Sequence, residues 1–360
     1  MAKNEALGRA KDARQDEFYT QLADIENELR HYRPHFKGKT VLCNCDDPYE
    51  SNFFKYFALN FNKLRLKRLV ATCYSGSSIT GTQLPLFGDG TEEDRRTPYK
   101  AIVTSVHDTT GEGGIDMLDV AELFRTGENT IEMLEGDGDF RSAECMALLD
   151  EADIVVTNPP FSLIREYITT LIEHEKSFVV IAPQSATKYK ETFPLIRENR
   201  MWLGYDSGDM AFCVPDDYEP RETRYWQDES GQKWRSMGNI CWLTNLDIKK
   251  RHEEMILFRR YKPEDYPSYT NFDGIDVAKA SDIPCDYPGN MGVPITFMNQ
   301  YNPDQFEIVG LGEGDLAKEI GITRNHEGRT KLEYQAPDGS FKRPYARIVI
   351  RNLHPEEPQR

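Results

Sequence analysis

The 360-residue sequence has no apolar run approaching the roughly 20 residues that span a bilayer. Its opening stretch, Met1 to Arg14, is polar and charged and lacks the apolar centre of a secretory signal. Cysteine is sparse and unpaired in pattern: the seven are odd in number, scattered, and include no C-x-x-C. They predict reduced thiols in a cytoplasmic protein rather than a disulfide framework. The seven histidines show no zinc-type spacing, so no metal site is expected. Basic charge is also short, with 44 Lys and Arg against 60 Asp and Glu and a formal net charge of -16. That balance argues against nucleic-acid binding through overall charge, but a local basic face can bind DNA on an acidic protein. Short basic clusters do occur at 63–68, 249–251, 259–260 and 342–351. Each taken alone reads first as solvated surface.

What is present is an alternation of short apolar runs and helical patterns. Leu22, Ile25, Leu29 and Tyr32 recur at helical spacing and predict an amphipathic helix over about 20–33, ended by Pro34 and Gly38. Runs at 40–45, 69–74, 131–135, 154–157 and 178–182 read as buried parallel strands, with helical patterns at 52–61, 143–150 and 163–174 between them. This order predicts an α/β fold with a doubly wound, mostly parallel sheet. The stretch near 75–116, rich in Gly, Ser, Thr and Pro, and the polar stretch near 205–237 read as insertions. Past residue 260 helix signals fade while Pro, Tyr, Asp and Asn accumulate, predicting a separate irregular or β-rich region over 261–360. The expected division is an N-terminal helical segment (1–38), a catalytic domain (39–260) and that C-terminal region.

The sharpest chemical feature is the run Asp153 to Phe161, in which an apolar strand ends in Asn158-Pro159-Pro160-Phe161. Two consecutive prolines fix φ and remove two N–H groups, which makes a stiff loop. Such a loop can aim the Asn158 amide and the Pro159 carbonyl at one amino group, while Phe161 offers a ring for a planar base. An aromatic amine is a poor nucleophile because its lone pair is delocalised. Two aligned acceptors draw its protons and direct the lone pair at an electrophilic methyl, so orientation and electrostatics replace a strong base. The alternative is a strand-ending Pro-Pro turn with a core phenylalanine.

The Asn-Pro-Pro-Phe segment after an apolar strand resembles the catalytic motif of amino-group DNA methyltransferases, and the likeness is strongest to the EcoRI-type adenine-specific family. It extends through 16–21, 41–48, 136–142, 242–247, 292–297 and 302–309. The resemblance implies a Rossmann-like domain that binds S-adenosylmethionine and methylates the N6 amino group of an adenine flipped out of double-stranded DNA. It makes Asn158, Pro159, Pro160 and Phe161 the catalytic loop. It also implies that Phe18, Tyr19 and Thr20 fold over the methionine end of the cofactor, and that Asp139 and Phe140 hold its adenine. Asp46, Asp47 and Pro48 stand where methyltransferases usually carry a glycine-rich turn. If the strands 40–45 and 154–157 are neighbours where the strand order reverses, Asp46 and Asn158 share one crevice. The likeness further implies a monomer, target recognition by 261–360, and a companion restriction endonuclease for the same site. Related Asn-Pro-Pro-aromatic loops methylate RNA bases or protein glutamine amides, which remain alternatives, as does an inactive cofactor- or DNA-binding relic.

Overall fold

The computed structural model describes residues 19–45, 51–73, 98–111, 113–125, 127–214 and 218–357. Two compact units emerge. One comprises the described residues up to Ala186 together with Gly204–Leu246; the other comprises Thr187–Leu203 and the described residues from Asp247 on.

The sheet of the first unit contains β1 (Tyr19–Thr20), β2 (Thr40–Cys43), β3 (Arg68–Thr72), β4 (Tyr99–Val103) and β5 (Thr130–Met133). Its remaining strands are β6 (Ile154–Thr157), β7 (Ser177–Pro183), β8 (Trp202–Cys213), β9 (Tyr225–Gln227) and β10 (Lys233–Thr244). Their spatial order is β1-β8-β10-β7-β6-β2-β3-β4-β5, with β9 on β10. The centre, β3-β2-β6-β7, is parallel, and its strands are nearly continuous runs of buried Val, Leu and Ile, as a sheet covered on both faces requires. Both flanks are antiparallel.

Two expectations are corrected. The 131–135 run is not a buried parallel strand: it forms β5, at the antiparallel edge, with Glu132 and Met133 exposed. The stretch 205–237 is not simply a polar insertion, because much of it is β8, β9 and β10. Up to residue 237 these strands are half-exposed and mix polar with aromatic residues; the buried apolar run of β10 begins only at Ile240.

Four helices matter to the site: α1 (Leu22–Leu29), α2 (Asn52–Leu59), α3 (Ala143–Glu151) and α4 (Ile164–Glu173). Helix α2 starts at Ser51, whose hydroxyl accepts from the Phe53 and Phe54 amides at 3.1 and 3.4 Å. Ser142 caps α3 in the same manner, through Cys145 N at 3.2 Å. Helix α4 buries Ile164, Tyr167, Ile168 and Leu171, a single stripe at 3–4-residue spacing.

The second unit is built on β11 (Ile275–Asp276), β12 (Met291–Pro294), β13 (Phe306–Leu311), the hairpin β14 (Tyr334–Gln335) with β15 (Phe341–Lys342), and β16 (Arg347–Asn352). Its main sheet has the order β11-β12-β16-β13. Buried Asp276 accepts from the half-buried Arg347 Nε at 2.8 Å and from the Tyr269 hydroxyl at 2.7 Å. The buried charge is thereby both paired and hydrogen-bonded.

Candidate active site

Strand β2 lies between β3 and β6 and is parallel to both. The strand order therefore reverses at the β2–β6 junction, which is where open α/β sheets bind ligands. The junction is pinned at its far end by Asp153, which accepts from Thr40 N at 2.8 Å and pairs with Lys39 at 3.3 Å. Val41 faces Ile154 and Leu42 faces Val155; continuing that register sets Asn44 beside Thr157, at the edge where Asn158 begins the Pro-Pro loop.

Asn158 is half-buried, with its Oδ1 out of solvent, and Pro159 is buried. Pro160 turns the chain and its carbonyl accepts from Leu163 N at 2.9 Å, which opens the short 3-10 turn leading into α4. Phe161 remains partly exposed. Its ring meets Phe212 of β8 edge-on, with centroids 6.4 Å apart. Phe212 in turn lies opposite Thr20 of β1, and Tyr19 lies opposite Cys213. Asn52 donates to the Thr20 carbonyl at 2.7 Å, tying β1 to the start of α2. Tyr19 and Thr20 are thus linked through β8 to the aromatic residue of the Pro-Pro loop.

A second group converges from the other side of the junction. Phe140 is buried and meets the Tyr167 ring edge-on at 5.0 Å, and the Tyr167 hydroxyl donates to Asn44 Oδ1. The Asp139 carboxylate is oriented by Arg141, whose Nε and Nη2 reach it at 2.8 and 2.6 Å, with Arg141 N at 2.9 Å. Those bonds hold the guanidinium charged, well above its ordinary range. Gly138 makes this arrangement possible. It has φ of 76°, and a Cβ there would sit 2.1 Å from the Cys73 carbonyl oxygen, so only glycine lets the loop approach β3 this closely.

Of the residues singled out from the sequence, Tyr19, Thr20, Asp139, Phe140, Asn158, Pro159, Pro160 and Phe161 lie in this unit. Phe18, Asp46, Asp47 and Pro48 lie outside the described residues. Among the described residues, no group of three or more His, Cys, Asp or Glu side chains is placed to hold a metal ion, and no helix is long and apolar enough to cross a membrane.

Residues 6–353 match the family model described as adenine-specific methyltransferase EcoRI. The chain belongs to that family. It is 42% identical over 357 residues to type II methyltransferase M.EcoRI of Escherichia coli, covering 98% of this chain and 97% of that protein. Type II methyltransferase M.MpnI of Mycoplasma pneumoniae is 34% identical over 356 residues, covering 96% and 97%. No solved structure matches the chain. The protein is a site-specific DNA methyltransferase acting on adenine, and as such it requires a methyl donor.

Sequence reasoning missed several residues that the fold brings to this cluster. Asn44 and Tyr167 bridge β2 to α4, and Phe212 backs Phe161. Buried Glu28 of α1 accepts from Tyr32 Oη at 2.6 Å, Tyr205 N at 2.9 Å and Asp206 N at 2.8 Å, locking α1 to β8. Burial pushes its carboxyl up to about 7, despite those three donors. A signal for Glu28 was present, since it falls on the stripe made by Ile25, Leu29 and Tyr32.

Proposed function

We propose that the ends of β2 and β6 form the S-adenosylmethionine and adenine sites of a Rossmann-like catalytic domain, with Asn158 to Phe161 as the catalytic loop. The observation that carries this reading is the adjacency of β2 and β6 at the strand-order reversal, with Asn158 and Asn44 at one edge. The side chains there suit an adenosyl group: the Phe140 ring gives an apolar wall, and the oriented Asp139 carboxylate is an acceptor for an exocyclic amine. Tyr19 and Thr20, with Phe18, Asp46, Asp47 and Pro48, complete this reading of the cofactor site. When bound, S-adenosylmethionine supplies an electrophilic methyl group.

In this reading the Asn158 side-chain oxygen and the Pro159 carbonyl accept the two amino protons of a flipped adenine. The lone pair is then held along one direction, and Phe161 stacks on the base. Pro159 and Pro160 keep both acceptors fixed before the base arrives, so little reorganisation opposes transfer. Residues after about 260 supply target recognition on double-stranded DNA. A companion endonuclease, action as a monomer and a cytoplasmic location belong to the same reading, and the type II designation of the relatives supports the first.

Methyl-labelled S-adenosylmethionine should label plasmid DNA as N6-methyladenine, and should leave total RNA and cell protein unlabelled. Asn158→Ala should lower kcat by roughly a hundredfold or more, as for loss of one preorganised polar group, with cofactor affinity retained. Label on protein or RNA but never on DNA, or full activity in Asn158→Ala, would sink the assignment.

A further inference from the structure

In a chain of net charge -16, the second unit presents three exposed cations on two neighbouring hairpins. Residues 324–330 form a tight hairpin: Arg324 bridges Thr330, Asn325 N donates to the Arg329 carbonyl at 2.9 Å, and Gly328 N donates to the Asn325 carbonyl at 2.9 Å. The Asn325 side-chain oxygen accepts from Arg329 N at 3.0 Å, which stiffens the turn. This hairpin adjoins β15. The His326 ring stacks on Phe341, with centroids 4.3 Å apart, and Arg343 pairs with Glu327. His326 is held from below by buried Glu333.

Arg324, Arg329 and Lys342 are exposed and, among the described residues, enter no salt bridge, whereas neighbouring Lys331 and Arg343 are paired. These three cations, on two braced hairpins, are thus placed to meet an anionic partner. Arg324 and Arg329 leave opposite strands of a narrow ribbon, a shape that the major groove of duplex DNA admits between its two phosphate walls. An established DNA substrate supplies the complementary charge.

We infer that Arg324, Arg329 and Lys342 form a phosphate-contacting surface for duplex DNA, supported by the His326–Phe341 stack. The inference rests on the reading of the C-terminal region as the DNA-recognition part and makes it specific to these hairpins. Such contacts position the protein and carry no sequence information themselves.

The test measures binding of the full-length protein to a fluorescent duplex cut from DNA that it methylates, across a salt series. Each lost phosphate contact should lower the slope of log affinity against log salt by about 0.9. The triple variant R324Q/R329Q/K342Q should therefore lose about 2 to 3 in slope and bind at least about tenfold more weakly, equally across sequences. Arg324→Lys with Arg329→Lys should restore most of the slope. Cofactor affinity and the unfolding midpoint should stay at wild type. A matched triple of exposed cations in the first unit, K37Q/K63Q/K67Q, should leave the slope near wild type.

An unchanged slope in the first triple overturns the inference, as does an equal fall in the second, which would mean net charge alone. A surface that prefers single-stranded RNA to the duplex, with the same slope loss, overturns it too. The readout is binding, so it is independent of whether Asn158 is catalytic. If the slope holds while other C-terminal substitutions alter which sequence is methylated, these hairpins are wrong and the recognition reading survives.

Discussion

The hydroxyl of Tyr167, on α4, donates to Oδ1 of Asn44, at the end of β2. One hydrogen bond between buried groups thus joins the helix behind the Pro-Pro loop to the strand that borders it. Because the Tyr167 ring also packs on Phe140, the same side chain braces both halves of the candidate site. Tyr167→Phe keeps the ring and removes the donor to a buried acceptor. It should cost about 1–3 kcal/mol of stability and weaken methyl-donor binding severalfold. Urea unfolding and calorimetric titration check this; wild-type values in both would show that the bond does not organise the site.

Phe161 packs its edge on Phe212 and leaves part of its ring exposed. If that ring stacks on the flipped base, Phe161→Ala loses about 1–3 kcal/mol of base contact and Phe161→Trp recovers most of it. KM for DNA should rise with the loss, while cofactor affinity stays. 2-Aminopurine at the target position should brighten less in Phe161→Ala than in wild type. Equal brightening and an equal KM would remove Phe161 from the base pocket.

Gly138 has a positive φ and sits against the Cys73 carbonyl, two independent reasons for glycine. Gly138→Ala meets about 1–2 kcal/mol of left-handed strain plus the overlap with that carbonyl. The loop must then lift from β3 and take Asp139 and Phe140 with it. Cofactor affinity should fall by tenfold or more, against a smaller change in DNA affinity. A variant with wild-type cofactor affinity would mean that the 136–140 loop does not line the site.

Much of the centre was legible in the sequence. Ile154 to Thr157 is a short apolar run that can only be buried, and two prolines after Asn158 leave its loop little freedom. The adjacency of β2 and β6, on which the expected shared crevice was conditional, is observed in their register. What was hidden depends on pairings between distant segments. Nothing local marks Asn44 as the acceptor of Tyr167, 123 residues away. β8 and the first half of β10 looked like polar insertion because half-exposed antiparallel strands lack the apolar run that revealed β6. β5 erred the other way: a short strand-like run does not say whether its neighbour is parallel or whether it lies at an edge.

Glu28 gives a pH prediction whose sign follows from its burial. Its carboxyl is raised from 4.5 to about 7 in the folded protein, chiefly by desolvation. The folded state therefore holds this proton more tightly than the unfolded chain. The resulting stabilisation is complete below pH 4.5, declines as pH rises through 7, and is absent above. A shift of that size corresponds to on the order of 3 kcal/mol across the window. Glu28→Gln cannot titrate, and its NH2 must face either Asp206 N or Tyr205 N, leaving one part-buried N–H without its acceptor. The variant should be less stable at every pH by about 1–3 kcal/mol before the titration difference is added. Subtracting its denaturant-unfolding profile from that of wild type should leave a curve falling between pH 4.5 and 7. A flat difference would show that Glu28 titrates normally and that the α1–β8 lock is insensitive to protonation. Any change in cofactor affinity over the same window should likewise vanish in Glu28→Gln, because α1 and β1 are consecutive and β1 reaches Phe161 through Phe212.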